Sequence, residues 1–126
     1  MSTAAPLVAV VDDDPDICAS LLGLLRSCGY RVEVFTSAEA FLANAEACSA
    51  ACVVSDVQMP GGMSGFELAG RLGKADRRLP IILVSAFADE NAQTTARLAG
   101  AKALLKKPFD GCALMDLIDE AVARVE

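Results

Sequence analysis

The chain of 126 residues contains no histidine and no tryptophan, and its acidic residues outnumber its basic residues by 17 to 11. The absence of histidine excludes every mechanism that needs an imidazole base, metal ligand or phosphate carrier within this chain. The net charge of −6 argues against nucleic-acid binding by this domain, because phosphate backbones need a basic surface. Any chemistry must therefore come from other side chains.

Long apolar runs, paired cysteines and a basic N-terminal segment are also missing. Hydrophobic residues make up 54% of the chain, but no run approaches the roughly 18–20 apolar residues needed to cross a bilayer. The opening residues, MSTAAPLVAVV, lack the basic start and long apolar core of a signal peptide. We therefore expect a cytoplasmic protein that does not enter a membrane.

The cysteines are too few and too scattered to suggest a disulfide framework or a zinc site. There are five of them, an odd number, and no two form a CxxC pair. They are expected to be small buried hydrophobic residues in a reducing cytosol. The five residues are Cys18, Cys28, Cys48, Cys52 and Cys112.

Short apolar runs alternate five times with longer stretches of helical periodicity. The runs are PLVAVV, YRVEVF, AACVVS, LPIILVS and AKALLK. Segments such as VAVV and IILV are apolar on both faces, as parallel strands covered by helices on both sides must be. Right-handed crossovers then predict an α/β, flavodoxin-like, doubly wound sheet of five parallel strands in the order 2-1-3-4-5, with five helices. The length predicts one domain spanning residues 1–126.

Capping signals stand at the predicted helix starts. Asp14, followed by a proline, is typical of an N-cap, and we expect this capping role to be its only one. The segments Thr36–Glu39 and Ser64–Glu67 both match the capping-box pattern. Asp89 and Asp110 are expected to cap the last two helices.

Polar side chains follow the first, third, fourth and fifth predicted strands. They are Asp12, Asp13, Asp14, Asp56, Ser85, Lys106 and Lys107. The carboxyl ends of these strands should meet at one edge of the sheet, the usual ligand crevice of open α/β folds. Carboxylates, a hydroxyl and an ammonium group at one edge indicate a divalent cation together with an anionic oxygen ligand. Without histidine or paired cysteine, such a site favours Mg²⁺ or Mn²⁺ over zinc.

These motifs resemble the receiver domain of two-component response regulators over essentially the whole chain. The matching segments, in order, are VVDDDP, VVSDVQMP, SGFEL, PIILVSA and GAKALLKKPF. Two of them are most similar to receivers that precede helix-turn-helix output domains in transcription regulators. The resemblance implies a phosphorylation-dependent signalling switch rather than an enzyme, with at most slow self-phosphorylation and self-dephosphorylation. Its phosphoryl donor would be a sensor histidine kinase or phosphotransfer protein, with Mg²⁺ required.

The resemblance also implies the residues that accept the phosphoryl group and bind the cation. Asp56 matches the phosphoacceptor, because it lies between a hydrophobic run and the x-x-Met-Pro that follows. Asp13 would bind the cation directly, and Asp12 directly or through water. Asp56 and the backbone carbonyl of Gln58 would complete the protein ligands.

Two further residues are implied to contact the phosphoryl oxygens. Ser85 would donate a hydrogen bond, and Lys107 would form an ion pair. The Lys107–Pro108 bond is expected to be cis by the same analogy. The added charge would then change the face formed by the fourth helix, the fifth strand and the fifth helix, which in the family docks an effector or forms a homodimer.

The sequence departs from the family pattern at two places. The segment Met59–Gly65 is one residue longer than the common loop and contains two adjacent glycines, so the loop conformation beside the acceptor is open. Leu104 stands where many receivers carry an aromatic residue whose rotamer responds to phosphorylation. We therefore expect the effect of phosphorylation to be transmitted mainly by movement of the loop after Ser85 and the helix that follows it.

Two other functions remain as alternatives. VVDDDP also satisfies the D-x-D motif of haloacid-dehalogenase-like phosphatases, with Asp12 as nucleophile and Asp14 as acid and base. That interpretation leaves Asp56 without a role, and the chain lacks the acidic pair that the family carries after its lysine. The other alternative is a phosphorylation-independent binding module with a receiver fold.

Overall fold

A computed structural model describes residues 5–73 and 79–123, apart from the side chains of residues 45–48. The expectation for Cys48 lies outside the described side chains, and residues 124–126 lie outside the described chain. Within the described residues, no helix is both long and apolar enough to span a membrane.

Five strands and five helices alternate along the chain. The strands β1 to β5 are Leu7–Val11, Arg31–Phe35, Cys52–Asp56, Ile81–Ser85 and Ala103–Lys106. The helices α1 to α5 are Pro15–Ser27, Ala38–Cys48, Gly65–Gly73, Glu90–Ala99 and Gly111–Ala123. The strands pair in parallel in the order β2-β1-β3-β4-β5, so the predicted fold class and strand order are confirmed.

The sheet separates two hydrophobic clusters, and β1 supplies both. Ala9 and Val11 belong to the cluster beneath α2, α3 and α4, whereas Val8 and Val10 belong to the cluster beneath α1 and α5. Successive side chains of a strand point to opposite faces, so a strand covered on both sides must be apolar at every position. This is the physical reason for the unbroken VAVV run.

Local side-chain bonds begin two helices as the sequence predicts. The Asp14 carboxylate accepts a hydrogen bond from the backbone N–H of Asp16 at 2.9 Å, which caps α1. At α3, the Ser64 N–H donates to Glu67 Oε1 at 2.9 Å, and the Glu67 N–H donates to Ser64 Oγ at 3.2 Å. This reciprocal pair is the capping box expected for Ser64–Glu67.

The last two helices also begin at aspartates. Asp89 caps α4, because its carboxylate accepts from the Ala92 N–H at 2.9 Å. The Asp110 carboxylate accepts from the Cys112 N–H at the same distance. Both side chains therefore satisfy amides that the first turn of a helix leaves without a partner.

The capping box predicted for Thr36–Glu39 is wrong. The N-cap of α2 is Ser37, whose hydroxyl accepts a hydrogen bond from the Ala40 N–H at 3.0 Å. The helix begins at Ala38, so Glu39 occupies the second helical position instead of the third, which a capping box needs. Glu39 is thereby free to contact another part of the chain.

The expectation of buried cysteines holds for only some of them. Cys18 and Cys52 are buried, and burial raises the pKa of the Cys52 thiol to about 12. Cys28 and Cys112 are exposed, which corrects the prediction. Both lie at helix ends, Cys28 as the C-cap of α1 and Cys112 in the first turn of α5, and neither belongs to the two clusters.

We predict that Gly65→Ala lowers the free energy of unfolding by about 1–3 kcal/mol, the usual cost of overpacking. A Cβ on Gly65 would lie 2.4 Å from the backbone oxygen of Asp56 and 2.9 Å from Val57 Cα, and backbone cannot move aside cheaply. Urea unfolding measures this change.

The matched control is Gly70→Ala in the same helix, where an added Cβ would have no neighbour within 4 Å. Its effect should be a stabilisation of at most about 1 kcal/mol, because alanine favours the helix more than glycine does. Equal losses of stability in both variants would show that the contact with the end of β3 is unimportant.

Candidate functional site

Parallel pairing brings four polar residues to the carboxyl edge of the sheet. Asp12 follows β1 directly, Asp56 ends β3, Ser85 ends β4 and Lys107 follows β5. Neighbouring strands end within one residue of one another in the pairing register. The strand ends named by the sequence therefore lie side by side.

Three carboxylates form a cluster at this edge. Oxygen atoms of Asp12, Asp13 and Asp56 all lie within 4.8 Å of one another. Asp12 and Asp56 are 1% and 6% exposed, whereas Asp13 is open to solvent. A buried, all-oxygen group with one open side suits a hard divalent cation that keeps part of its water shell.

Lys107 provides the positive charge of the cluster. Its ammonium nitrogen lies 3.2 Å from Asp12 Oδ2 and 3.3 Å from Asp56 Oδ1. Burial alone would lower the pKa of Lys107, but the carboxylates of Asp12 and Asp56 raise it above its usual value. The lysine therefore stays charged at neutral pH. With all groups ionised, three carboxylates and one ammonium have a net charge of −2, which one divalent cation would neutralise.

Asp56 is the strained member of the cluster. Burial raises its pKa, repulsion from Asp12 raises it further, and Lys107 partly offsets both effects. Among the described residues, none makes a well-formed hydrogen bond to the buried Oδ1, and the ammonium of Lys107 at 3.3 Å is its ionic neighbour. An oxygen held in this way is available to a cation or an electrophile.

Ser85 lies at the same edge, but its hydroxyl does not contact the acids. Ser85 Oγ donates to Gln58 Oε1 at 2.9 Å and accepts from the Phe87 N–H at 2.9 Å. Gln58 is exposed in the loop after β3. The structure therefore brings Asp12, Asp13, Asp56 and Lys107 into contact and holds Ser85 beside them on another partner.

The remaining candidates lie outside the cluster. Asp14 caps α1, as expected, and its backbone N–H donates to Asp12 Oδ1 at 2.9 Å. Lys106 is exposed at the end of β5. Within the described residues, Asp14 is not among the clustered carboxylates, which weighs against the phosphatase alternative that needs it as acid and base. The Lys107–Pro108 bond is cis, as expected.

Glu39 is a residue near the site that the sequence did not reveal. Its carboxylate accepts a hydrogen bond from the Met63 N–H at 2.7 Å, and this bond lowers the pKa of Glu39. A Cβ on Gly62 would lie 2.9 Å from Glu39 Oε2, so the second glycine lets the loop pass the carboxylate. Gly61 has a φ of +86°, a left-handed conformation that favours glycine. Gly61 therefore has a backbone reason to be glycine, whereas a Cβ on Gly62 would meet only the flexible end of the Glu39 side chain.

Leu104, which stands where many receivers carry an aromatic residue, is buried. Its side chain lies in the cluster beneath α2, α3 and α4, and its backbone oxygen accepts from Gln93 Nε2 at 3.1 Å. A leucine side chain has no aromatic ring whose rotamer could follow a change at Ser85. The expectation that readout does not use an aromatic rotamer at this position is consistent with this packing.

Comparisons with known proteins agree with this geometry. Residues 8–119 match the family model described as response regulator receiver domain. The transcriptional regulatory protein FixJ of Bradyrhizobium diazoefficiens is 37% identical over 119 residues, which cover 94% of this chain and 58% of that protein. The transcriptional regulatory protein TdiR of Thauera aromatica is 38% identical and is covered to 52% of its length. The chain thus spans about half the length of these relatives.

A solved structure gives the same result for the fold. The crystal structure of FixJ-N superposes with a TM-score of 0.87 and 32% sequence identity, covering 100% of this chain and 98% of that one. The similarity therefore extends across all five strands and five helices.

We predict that Asp56→Asn stabilises the fold at neutral pH in the absence of divalent cations, by about 0.5–2 kcal/mol. The folded chain raises the pKa of Asp56, so ionisation of this carboxyl costs folding free energy at any pH above its folded pKa. As the pH falls through the folded pKa toward the unfolded value, Asp56 takes up its proton and the advantage of asparagine should shrink.

Urea unfolding at several pH values in a chelator checks this prediction. The control is Asp16→Asn, which removes an exposed carboxylate from the first turn of α1 and should change stability by less than about 0.5 kcal/mol. A destabilised Asp56→Asn protein at neutral pH would contradict the assignment of strain to this side chain.

Proposed function

The chain belongs to the response regulator receiver domain family, and from that premise we propose that it is a signalling switch phosphorylated on Asp56. The proposed phosphoryl donor is a sensor histidine kinase or phosphotransfer protein in the cytoplasm, and the proposed unit is one domain over residues 1–126. The observation that carries the proposal is the buried Asp56 Oδ1, beside two carboxylates and one ammonium.

The proposed reaction is a phosphoryl transfer between two side chains. An Asp56 carboxylate oxygen forms a bond to phosphorus while the bond from phosphorus to the imidazole nitrogen of the donor breaks, which leaves an aspartyl phosphate. Bound Mg²⁺ would neutralise the transferring oxygens and so lower the barrier. Asp12, Asp13, Asp56 and the Gln58 carbonyl are the proposed ligands, and Mn²⁺ could substitute because it prefers similar oxygen ligands.

Lys107 and Ser85 have proposed roles after transfer. The lysine, which now pairs with Asp12 and Asp56, would pair with a phosphoryl oxygen on the modified Asp56. The Ser85 hydroxyl would donate to another phosphoryl oxygen. The small, exposed Ala86 beside it leaves the approach to Asp56 open for a bulky donor.

The proposed output surface is the face formed by α4, β5 and α5. Phosphorylation adds roughly −1.5 to −2 charges at the edge where the loops before α4 and α5 begin. The new charge would draw Ser85 and Lys107 inward and move those loops with them. This face would then control an output domain, a docking partner or a second copy of the chain. The acidic domain itself is proposed not to bind nucleic acid.

We predict that incubation with acetyl phosphate and Mg²⁺ adds one phosphoryl group to the wild-type chain and none to Asp56→Asn. Acetyl phosphate is a small donor, so the result does not depend on a partner kinase. Intact-protein mass spectrometry measures the adduct, and hydroxylamine should release it because an acyl phosphate reacts with this nucleophile.

Asp16→Asn is the matched control and should be labelled like the wild type, because its carboxylate is exposed in α1. The two alternatives give different outcomes. A phosphatase would turn the donor over continuously, and a phosphorylation-independent module would neither turn it over nor gain the adduct.

We predict that Asp13→Asn weakens Mg²⁺ binding by roughly tenfold or more. Even the loss of a residue that only contacts a metal ligand lowers metal affinity by about 10–100-fold. The substitution removes one of three clustered carboxylates but leaves the buried pair with Lys107 intact. Isothermal titration calorimetry measures the affinity, with Asp16→Asn as control. Unchanged Mg²⁺ affinity in Asp13→Asn would refute the ligand assignment.

A further inference from the structure

Ser85 is engaged with a neighbour other than the acidic cluster. It is fully buried, and its hydroxyl donates its one proton to the side-chain oxygen of Gln58 at 2.9 Å. A hydroxyl has a single donor, so Ser85 cannot give a full hydrogen bond to Gln58 and to a phosphoryl oxygen at the same time. One bond must break before the other forms.

We propose that the side-chain amide of Gln58 is a latch that holds Ser85 in its unphosphorylated orientation and thereby opposes activation. The inference rests on the proposed function, because it assumes that Ser85 turns toward a phosphoryl group on Asp56. It assigns to Gln58 a positioning role that is separate from its backbone carbonyl.

The backbone around the latch is well fixed. Val57 is buried, and its N–H donates to the backbone oxygen of Val84 at 2.9 Å. The oxygen of Val57 in turn accepts from the Gly65 N–H at 3.0 Å. The residue before Gln58 is thus tied to β4 on one side and to α3 on the other. A side chain that starts from this anchored backbone can hold Ser85 in one direction.

The latch also connects the site to an exposed aromatic residue. The Phe87 N–H donates to Ser85 Oγ at 2.9 Å, and the Phe87 ring is 70% exposed in the loop before α4. When Ser85 turns away from Gln58, the acceptor of the Phe87 amide moves as well. Leu104 has no aromatic ring that could transmit a change at the site. The two hydrogen bonds that join Gln58, Ser85 and Phe87 connect the site directly to the loop that precedes α4.

The size of the effect follows from the strength of one hydrogen bond. A neutral side-chain hydrogen bond contributes modestly in net terms, which corresponds to a roughly two- to tenfold change in an equilibrium. A ligand that binds only the activated orientation gains apparent affinity in proportion to the population of that orientation. Removing the latch should therefore raise the apparent affinity for such a ligand by the same factor.

The probe is beryllium trifluoride with Mg²⁺, which mimics a phosphoryl group on a carboxylate without a kinase. We expect Gln58→Met, which keeps the length of the side chain but lacks its oxygen, to tighten apparent binding by roughly two- to tenfold. Without the probe, the Phe87 amide resonance should shift toward its position in the bound wild type. Gln58→Ala lacks the same oxygen and should behave alike.

A double-mutant cycle separates the latch from other effects. In the Ser85→Ala background, Gln58→Met should no longer tighten binding, because the hydroxyl it restrains is absent. Asp16→Asn, whose carboxylate is exposed in α1 outside the cluster, is the control and should bind beryllium trifluoride with Mg²⁺ as the wild type does.

The outcomes distinguish the two levels of the proposal. A wild-type chain that binds no beryllium trifluoride overturns the proposed function and the latch with it. A wild type that binds, together with unchanged or weaker binding by Gln58→Met, overturns the latch alone. Tightening that persists in the Ser85→Ala background also overturns it.

Discussion

Repulsion among Asp12, Asp13 and Asp56 is the interaction around which the carboxyl edge of the sheet is organised. Burial strengthens this repulsion, because the low dielectric around Asp12 and Asp56 screens it less than water would. Lys107 neutralises only part of the charge, and burial together with repulsion from Asp12 raises the pKa of Asp56. A domain that only needed to fold would gain from losing one of these carboxylates. The cluster is therefore suited to added positive charge, as the proposed function requires.

The fold imposes this crowding through its backbone. Parallel strands that end in register put their last side chains next to one another, and Asp12 and Asp56 are buried there. The close approach of Gly65 to the backbone of Asp56 fixes the end of β3 from the opposite side. The stability of the rest of the fold thus offsets the unfavourable burial of the Asp56 carboxylate, as is usual where a site costs stability.

The strand order, the clustered acids and the Ser64–Glu67 cap could be predicted because each depends on a pattern local to the chain. Apolar periodicity defines the strands, and parallel topology then places their ends together without any knowledge of rotamers. The contact of Glu39 with the Met63 N–H could not be predicted in this way. The helix α2 begins one residue later than the capping-box pattern requires, so Glu39 does not cap it and bonds to the loop instead. The partner of Ser85 also escaped prediction, because a sequence locates a hydroxyl at a strand end but does not set its direction. The predictions for Cys28 and Cys112 failed for a different reason, since periodicity does not show which helix ends the two clusters leave uncovered.

The two groups proposed to bind phosphoryl oxygens are both occupied in this structure. Lys107 pairs with the carboxylates, and the Ser85 hydroxyl donates to an amide oxygen. Neither group has to be desolvated afresh when an anionic oxygen arrives, since each exchanges one oxygen acceptor for another. An exchange of one hydrogen-bond acceptor for another has a small net free energy, so the proposed switch would need only a small energy difference between its two arrangements. In the proposed function, the charged oxygens of a phosphoryl group would be stronger acceptors than the neutral amide of Gln58, and would therefore reverse the preference.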